Sequence, residues 1–348
     1  MKIRHTAVAV LAASALALSA CATGEDFEEQ PNDTANSAEN GSDSGSTEAS
    51  AASDGETITL EDNHGTKEVP ANPETVVATD NRAFEVLSEW GIELAAAPQP
   101  LVPFTVEDYK TSEDIVDIGN HREPDLEALT AVQPDLIVNG QRFTQYYDEI
   151  SELNPDATII EFEPRDGEPL DEELRRHTEA LGKAFGHEEE AQQLIEDFDA
   201  AIERAREAYN GEDTVMAVNV SGGTIGYIAP GLGRTFGPIF DLLELNPALE
   251  VENASDDHQG DDISVEAIAQ SNPDWVLVLD RDAGTNSRNE EGFVGAQTVI
   301  GESEALQNTT AISEDQVYYA PEDTYTNESI ITYTEILNGI AEQMEQAQ

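Results

Sequence analysis

Apolar and polar positions fall in blocks along this chain, and two blocks far apart share one pattern. Residues 123–142 read EPDLEALTAVQPDLIVNGQR and residues 262–281 read DISVEAIAQSNPDWVLVLDR. In each, apolar residues first recur at helical spacing, then a Gln-Pro-Asp or Asn-Pro-Asp turn intervenes, and an unbroken apolar run of strand length follows. Such a run suits a strand buried on both faces, as in a parallel sheet. Each predicted strand delivers an arginine at its end, Arg142 and Arg281.

The segments ahead of these repeats echo each other more weakly. Val76-Val77-Ala78 leads to Asn81-Arg82-Ala83-Phe84, and Val215-Met216-Ala217-Val218 leads to Gly233-Arg234-Thr235-Phe236. Both predict a strand, a loop and a helix, with Leu87 and Trp90 on the first helix and Ile239, Phe240, Leu242 and Leu243 on the second. Between the halves, Ala191, Leu194, Ile195, Phe198, Ala201, Ile202, Ala205 and Tyr209 form one stripe, which predicts a long amphipathic helix over 188–210. Strands alternating with helices predict an α/β fold of two doubly wound, Rossmann-like lobes, 57–187 and 211–348, rigidly bridged by that helix. Ligands of such sheets sit beyond the carboxyl ends of the strands. Arg142 and Arg281 fall at those ends, and Arg82 and Arg234 fall where a helix begins after one.

The first residues follow another pattern. Lys2 and Arg4 precede an apolar, Ala-rich run from Thr6 to Leu18, too short to cross a hydrocarbon core of ~30 Å. It closes in Leu18-Ser19-Ala20-Cys21, which predicts a secretion signal over 1–20, cut before Cys21. The stretch 21–56 is rich in Ser, Thr, Asn, Asp, Glu, Gly and Ala, with Phe27 its one large apolar residue, and it predicts a spacer with no core of its own. Cys21 is the only cysteine among 348 residues, so an intrachain disulfide, a thiolate zinc cluster and a cysteine redox pair are excluded.

Charge narrows the partners. The chain has 16 Lys and Arg against 73 Asp and Glu, a formal net charge of −57, which excludes nucleic acid as a general partner and predicts a solvated, salt-tolerant surface. Against that background, arginines at equivalent places in two facing lobes predict a local positive pocket for an anion. The planar guanidinium fork stays charged and donates several hydrogen bonds, while Phe143, Tyr146, Tyr147 and Phe236 offer rings to a flat ligand. A hydrolase is the distant alternative. Ser221-Gly222-Gly223 follows a strand and there are six histidines, yet there is no Gly-x-Ser-x-Gly elbow and no Walker loop. The same fold carrying zinc or manganese would place arginine against a bare cation, which it repels. Cobalamin and haem stay open as cargo.

From about Ile58 onward the chain resembles the ferric siderophore-binding lipoproteins of bacterial ABC importers, of the type with a helical backbone between lobes. The most specific pieces are the Gln-Pro-Asp-Leu-Ile-Val strand with Gly140-Gln141-Arg142 and Tyr146-Tyr147-Asp148-Glu149, the Gly233-Arg234-Thr235-Phe236-Gly237 turn, and Asn272-Pro273-Asp274 leading to Asp280-Arg281. Small residues before Cys21 resemble the lipobox. The resemblance implies a non-enzymatic, monomeric receptor on the outer face of the cell membrane, lipidated on Cys21, that clasps a ferric siderophore between its lobes. It hands that cargo to the permease and ATPase of an importer through acidic surface residues. Iron(III) is then carried within the ligand and no cofactor is intrinsic. In the catecholate-binding branch a basic triad takes the anionic complex, and Arg142, Arg234 and Arg281 fall on those positions, with Arg82, Tyr146 and Phe236 beside them. That branch can also supply a His and a Tyr to iron. His258, in Asp257-His258-Gln259-Gly260, and Tyr325, in Pro321-Glu322-Asp323-Thr324-Tyr325, match those places, although the second motif lacks the family's central aromatics.

Overall fold

The computed structural model describes residues 56–348; the expected signal, Cys21 and all but the last residue of the spacer lie outside the described residues. The described chain opens with an antiparallel hairpin, β1 (Thr57–Asp62) and β2 (Gly65–Pro70). A five-stranded sheet follows, built from β3 (Val76–Ala78), β4 (Leu94–Ala97), β5 (Val116–Asp117), β6 (Leu136–Asn139) and β7 (Thr158–Glu161). Its spatial order is β5-β4-β3-β6-β7, and every pair is parallel. Helices α1 (Phe84–Glu89), α2 (Leu126–Ala131) and α3 (Tyr147–Leu153) supply crossovers. All residues of β3 and β6 are buried, which is why both read as unbroken apolar runs.

Two long helices, α4 (Leu170–Phe185) and α5 (Glu188–Ala208), lead to the second sheet. It comprises β8 (Thr214–Ser221), β9 (Thr224–Ile228), β10 (Trp275–Asp280) and β11 (Val317–Tyr319), in the order β9-β8-β10-β11, with Asn246–Pro247 paired to the start of β8. Helices α6 (Gly237–Leu243) and α7 (Val265–Ser271) flank it, and α9 (Ile330–Ala347) follows the short α8 (Ala296–Glu302). Expectation and structure part at one place in this sheet. The loop expected between the second strand and its helix contains β9, an antiparallel partner of β8, because Gly222 (φ 58°) and Gly223 (φ 73°) form a tight hairpin turn. Ser221-Gly222-Gly223, the hydrolase candidate, is that turn.

The repeated Pro-Asp has a structural purpose. Asp135 accepts hydrogen bonds from the backbone N–H of Glu74 (2.8 Å) and Thr75 (3.0 Å), just ahead of β3, while Asp274 accepts from the N–H and hydroxyl of Thr214 (both 2.8 Å), at the start of β8. Each aspartate therefore fixes the register of the two central strands of its sheet. The preceding helices are capped alike, Asp125 accepting from Ala128 N and Ser264 from Ala267 N.

The predicted inter-lobe helix is α5, and it is one of three. It packs on α4 and on α9, where Arg204 bridges to Glu345 (2.8 Å) and to Asn338 (3.0 Å). Phe198, Ala201, Ile202 and Ala205 of α5 and Leu337, Ile340 and Ala341 of α9 are buried in one cluster with residues of both sheets. Each large side chain so buried contributes about 1.5–3 kcal/mol, so this layer ties the two lobes firmly. Among the described residues no helix is long and apolar enough to cross a membrane.

Candidate functional site

In each sheet the strand order reverses once, and the chain leaves the sheet there as two diverging loops. In the first sheet the reversal lies between β3 and β6, so Thr79-Asp80-Asn81 and Gly140-Gln141-Arg142 emerge side by side. A Cβ at position 140 would lie 2.5 Å from the Asp80 carboxyl carbon, which is why glycine stands there. Arg142 Nη1 then donates to Asn81 Oδ1 (3.3 Å). In the second sheet the reversal lies between β8 and β10. Arg281 N donates to Val220 O (3.0 Å), and its guanidinium reaches Asp282 Oδ1 (2.8 Å) and Ser221 Oγ (3.4 Å). Arg234 enters from the loop after β9, at a turn whose glycines 233 and 237 sit against the backbone of Ala229.

All three arginines surround one ring. Their guanidinium carbons lie 5.6 Å (Arg142), 4.3 Å (Arg234) and 5.2 Å (Arg281) from the centroid of Tyr325, whose carbonyl also accepts from Arg234 Nη2 (3.0 Å). These groups line a cavity of about 490 Å³, with Arg122, His121, His258 and Glu290 around it. The Nε atoms of Arg234 and Arg281 are buried and meet no hydrogen-bond acceptor of the protein. A cavity lined by three guanidiniums, of which Arg142 meets no carboxylate among the described residues, suits an anion that brings its own acceptors.

Beneath the ring runs a polar segment, Asp323 to Ser329, buried throughout. It is bonded to both lobes. Asn81 Nδ2 donates to Thr326 O (2.7 Å), Thr105 Oγ1 to Asp323 Oδ2 (2.5 Å) and Ser329 Oγ to Glu85 Oε2 (2.5 Å), while Thr326 Oγ1 donates to Gly284 O (2.8 Å). Within it Glu328 receives Arg234 (2.6 Å), Thr235 Oγ1 (2.8 Å) and Gln141 Nε2 (2.9 Å). Burial alone would raise its pKa; Arg234, Arg82 and these hydrogen bonds overcome that and pull it down to about 2. Arg142 is the opposite case. Burial and then Arg234 push its pKa below the ordinary arginine value, only partly offset by Tyr325 and Glu328, so its cation is under-compensated. Burial, followed by Arg142 and Arg122, likewise lowers His121.

The expected residues are not all brought together. Arg142, Arg234, Arg281, Tyr325 and His258 line one cavity. His258 sits at its edge with the side chain 53 % exposed, its carbonyl accepting from Asn219 Nδ2 (3.0 Å). Arg82 does not reach the cavity: it pairs with Glu163 (3.0 Å), and although burial opposes its charge, Glu163, Glu328 and Asp80 hold its pKa above the usual value. Tyr146 turns away, donating to His121 O (2.7 Å) and lining a separate surface groove. Phe236 is fully buried, edge-on to Tyr318, and Phe143 is fully buried as well, so neither presents a face to a ligand. Tyr147 stacks on His64 at 3.5 Å. Each of these four aromatic rings is taken up by the protein, and the ring the cavity presents is that of Tyr325. Arg122 and Glu328 were not singled out by the sequence pattern.

Two doubly wound sheets on a layer of long helices, with a basic cavity where both strand orders reverse, define a two-lobed binding protein. The chain belongs to the periplasmic binding protein family, whose model matches residues 76–324. It is 30% identical over 227 residues to the ferric-anguibactin-binding protein FatB of Vibrio anguillarum, covering 65% of this chain and 69% of that protein. It is 26% identical over 269 residues to the petrobactin-binding protein YclQ of Bacillus subtilis, covering 76% and 79%. Among solved structures it is similar to the periplasmic catecholate-siderophore binding protein VctP of Vibrio cholerae, with TM-score 0.70 and 25% identity over 84% of this chain and all of that one.

Proposed function

We propose that this protein captures a ferric siderophore between its lobes and delivers it to the permease and ATPase of an ABC importer for iron uptake, without catalysing a reaction. The observation that carries this reading is the set of three guanidiniums around Tyr325 that line a cavity of about 490 Å³. Arg142, Arg234 and Arg281 take the negative charge of the chelate, and the Tyr325 ring backs them. Lobes 57–187 and 211–348 supply the two walls and helix 188–210 joins them. The names of the relatives support the cargo: FatB binds ferric anguibactin and YclQ binds petrobactin. Iron enters inside its chelator. Among the described residues no group of three His, Cys, Asp or Glu could hold a metal ion by itself. His258 and Tyr325 both line the cavity, placing an imidazole and a phenol where a chelate with open iron sites would meet them. Acylation of Cys21 anchors the chain to the outer face of the cell membrane as a monomer, with acidic residues of the two lobes meeting the permease.

Isothermal titration of the full-length chain in detergent, with ferric catecholate, mixed and carboxylate chelates beside haem, cobalamin and free metal ions, tests the proposal. The expected result is submicromolar binding of an anionic ferric chelate, weakened about tenfold or more by each of Arg142→Ala, Arg234→Ala and Arg281→Ala, as loss of a charge-assisted contact requires. Binding of cobalamin, haem or a bare metal in place of every ferric chelate would overturn it.

A further inference from the structure

The charge of the cavity is not the sum of its arginines. Arg281 is matched by Asp282 (2.8 Å) and Arg234 by Glu328 (2.6 Å), while among the described residues Arg142 has no carboxylate within ion-pair distance. The two compensating acids differ in how strongly a ligand feels them. Asp282 has its side chain 15 % exposed and is screened by water; Glu328 is 6 % exposed, lies between the two lobes and touches only protein donors, Gln141 from one lobe and Arg234 and Thr235 from the other. A buried charge acts through a lower effective dielectric and is little weakened by salt.

We propose that Glu328 is the charge selector of this site: its buried carboxylate cancels Arg234 and biases the cleft against the most highly charged ferric chelates. The inference rests on the reading of the cavity as a ferric-chelate site. A carboxylate is not needed to hold Arg234 in place, since Tyr325 O already accepts from the same nitrogen (3.0 Å). A neutral acceptor would hold Arg234 in the same position, although the ionised group also stabilises the folded chain. What a carboxylate adds is one negative charge, kept on at every physiological pH because the group is held fully ionised. At a separation of about 12 Å and an effective dielectric near 20, that charge costs affinity about tenfold for each extra negative charge on the chelate.

The test compares a ratio. Dissociation constants of a trianionic ferric tris-catecholate and of a ferric chelate carrying one negative charge or none are measured for the full-length chain, for Glu328→Gln and for Gln141→Lys. Both substitutions raise the site's charge by one, and the second, at the partly exposed start of a 3-10 helix and within reach of Glu328, reports even where the first fails to fold. The expected result is a shift of the ratio towards the trianionic chelate by about tenfold or more in both variants, unchanged between pH 5 and pH 8. Equal weakening of both chelates, or an unmoved ratio, would overturn the charge-selector role while leaving the binding site in place. Failure of the unsubstituted chain to bind either chelate would instead remove the ferric-chelate reading on which the inference rests.

Discussion

Glutamine at position 328 has nearly the volume of glutamate and lacks its charge, so Glu328→Gln isolates what ionisation contributes to folding. A glutamate titrating at 4.5 when unfolded and at about 2 when folded differs by roughly 2.5 pH units, which by linkage is about 3 kcal/mol at neutral pH. The group is buried, so solvent screening takes little from this figure. The sign follows from a folded pKa below the unfolded one: the stabilisation is fully present above about pH 4.5 and is lost as pH falls through about 2, with roughly half gone near pH 3. Urea unfolding followed by circular dichroism should show the variant less stable by about 3 kcal/mol at pH 7, with the gap halved at pH 3. A gap that stays constant across this range would refute the reasoning, because the lost stability would then come from packing or hydrogen bonds that do not titrate.

Gly140→Ala places a methyl group 2.5 Å from the Asp80 carboxyl carbon, and overpacking of this kind costs about 1–3 kcal/mol. Because Arg142 leaves the same loop, thermal unfolding should fall together with chelate affinity by several-fold. Leu337→Ala opens a void in fully buried contacts of α9 and should cost about 2–5 kcal/mol in denaturant unfolding. Titration of the folded variant should leave chelate affinity within about twofold, since Leu337 is not among the residues that line the cavity.

The two sheets were legible because their central strands are buried on both faces and carry a Pro-Asp turn ahead of them; Asp135 and Asp274 show what that repeat is for. The hairpin strand β9 was not, since Ser221-Gly222-Gly223 reads equally as a loop and as a two-residue turn, and only pairing with β8 decides. Arg142, Arg234 and Arg281 stood out because cations are scarce and these recur at equivalent places in the two halves, at a strand end or where the following helix begins. Arg82 shares that position, but Glu163 lies within reach and captures it, a long-range pairing no local pattern encodes. Glu328 was hidden for the reverse reason: in a chain with 73 acidic residues, one buried glutamate has the same local signature as a solvated one. Helices α4 and α9 had no such signature, because an apolar stripe on one helix does not encode which distant segments pack against it.

Iron held among three arginines at Tyr325 is the central requirement of the proposed function. Crystals of the protein grown with an anionic ferric chelate, measured at the iron absorption edge, locate the metal by its anomalous signal without assumption about the ligand. One peak is expected in the cavity bounded by Arg142, Arg234 and Arg281, with chelate oxygens bonded to their guanidiniums. A peak outside that cavity, or a chelate that leaves the three arginines untouched, would contradict it.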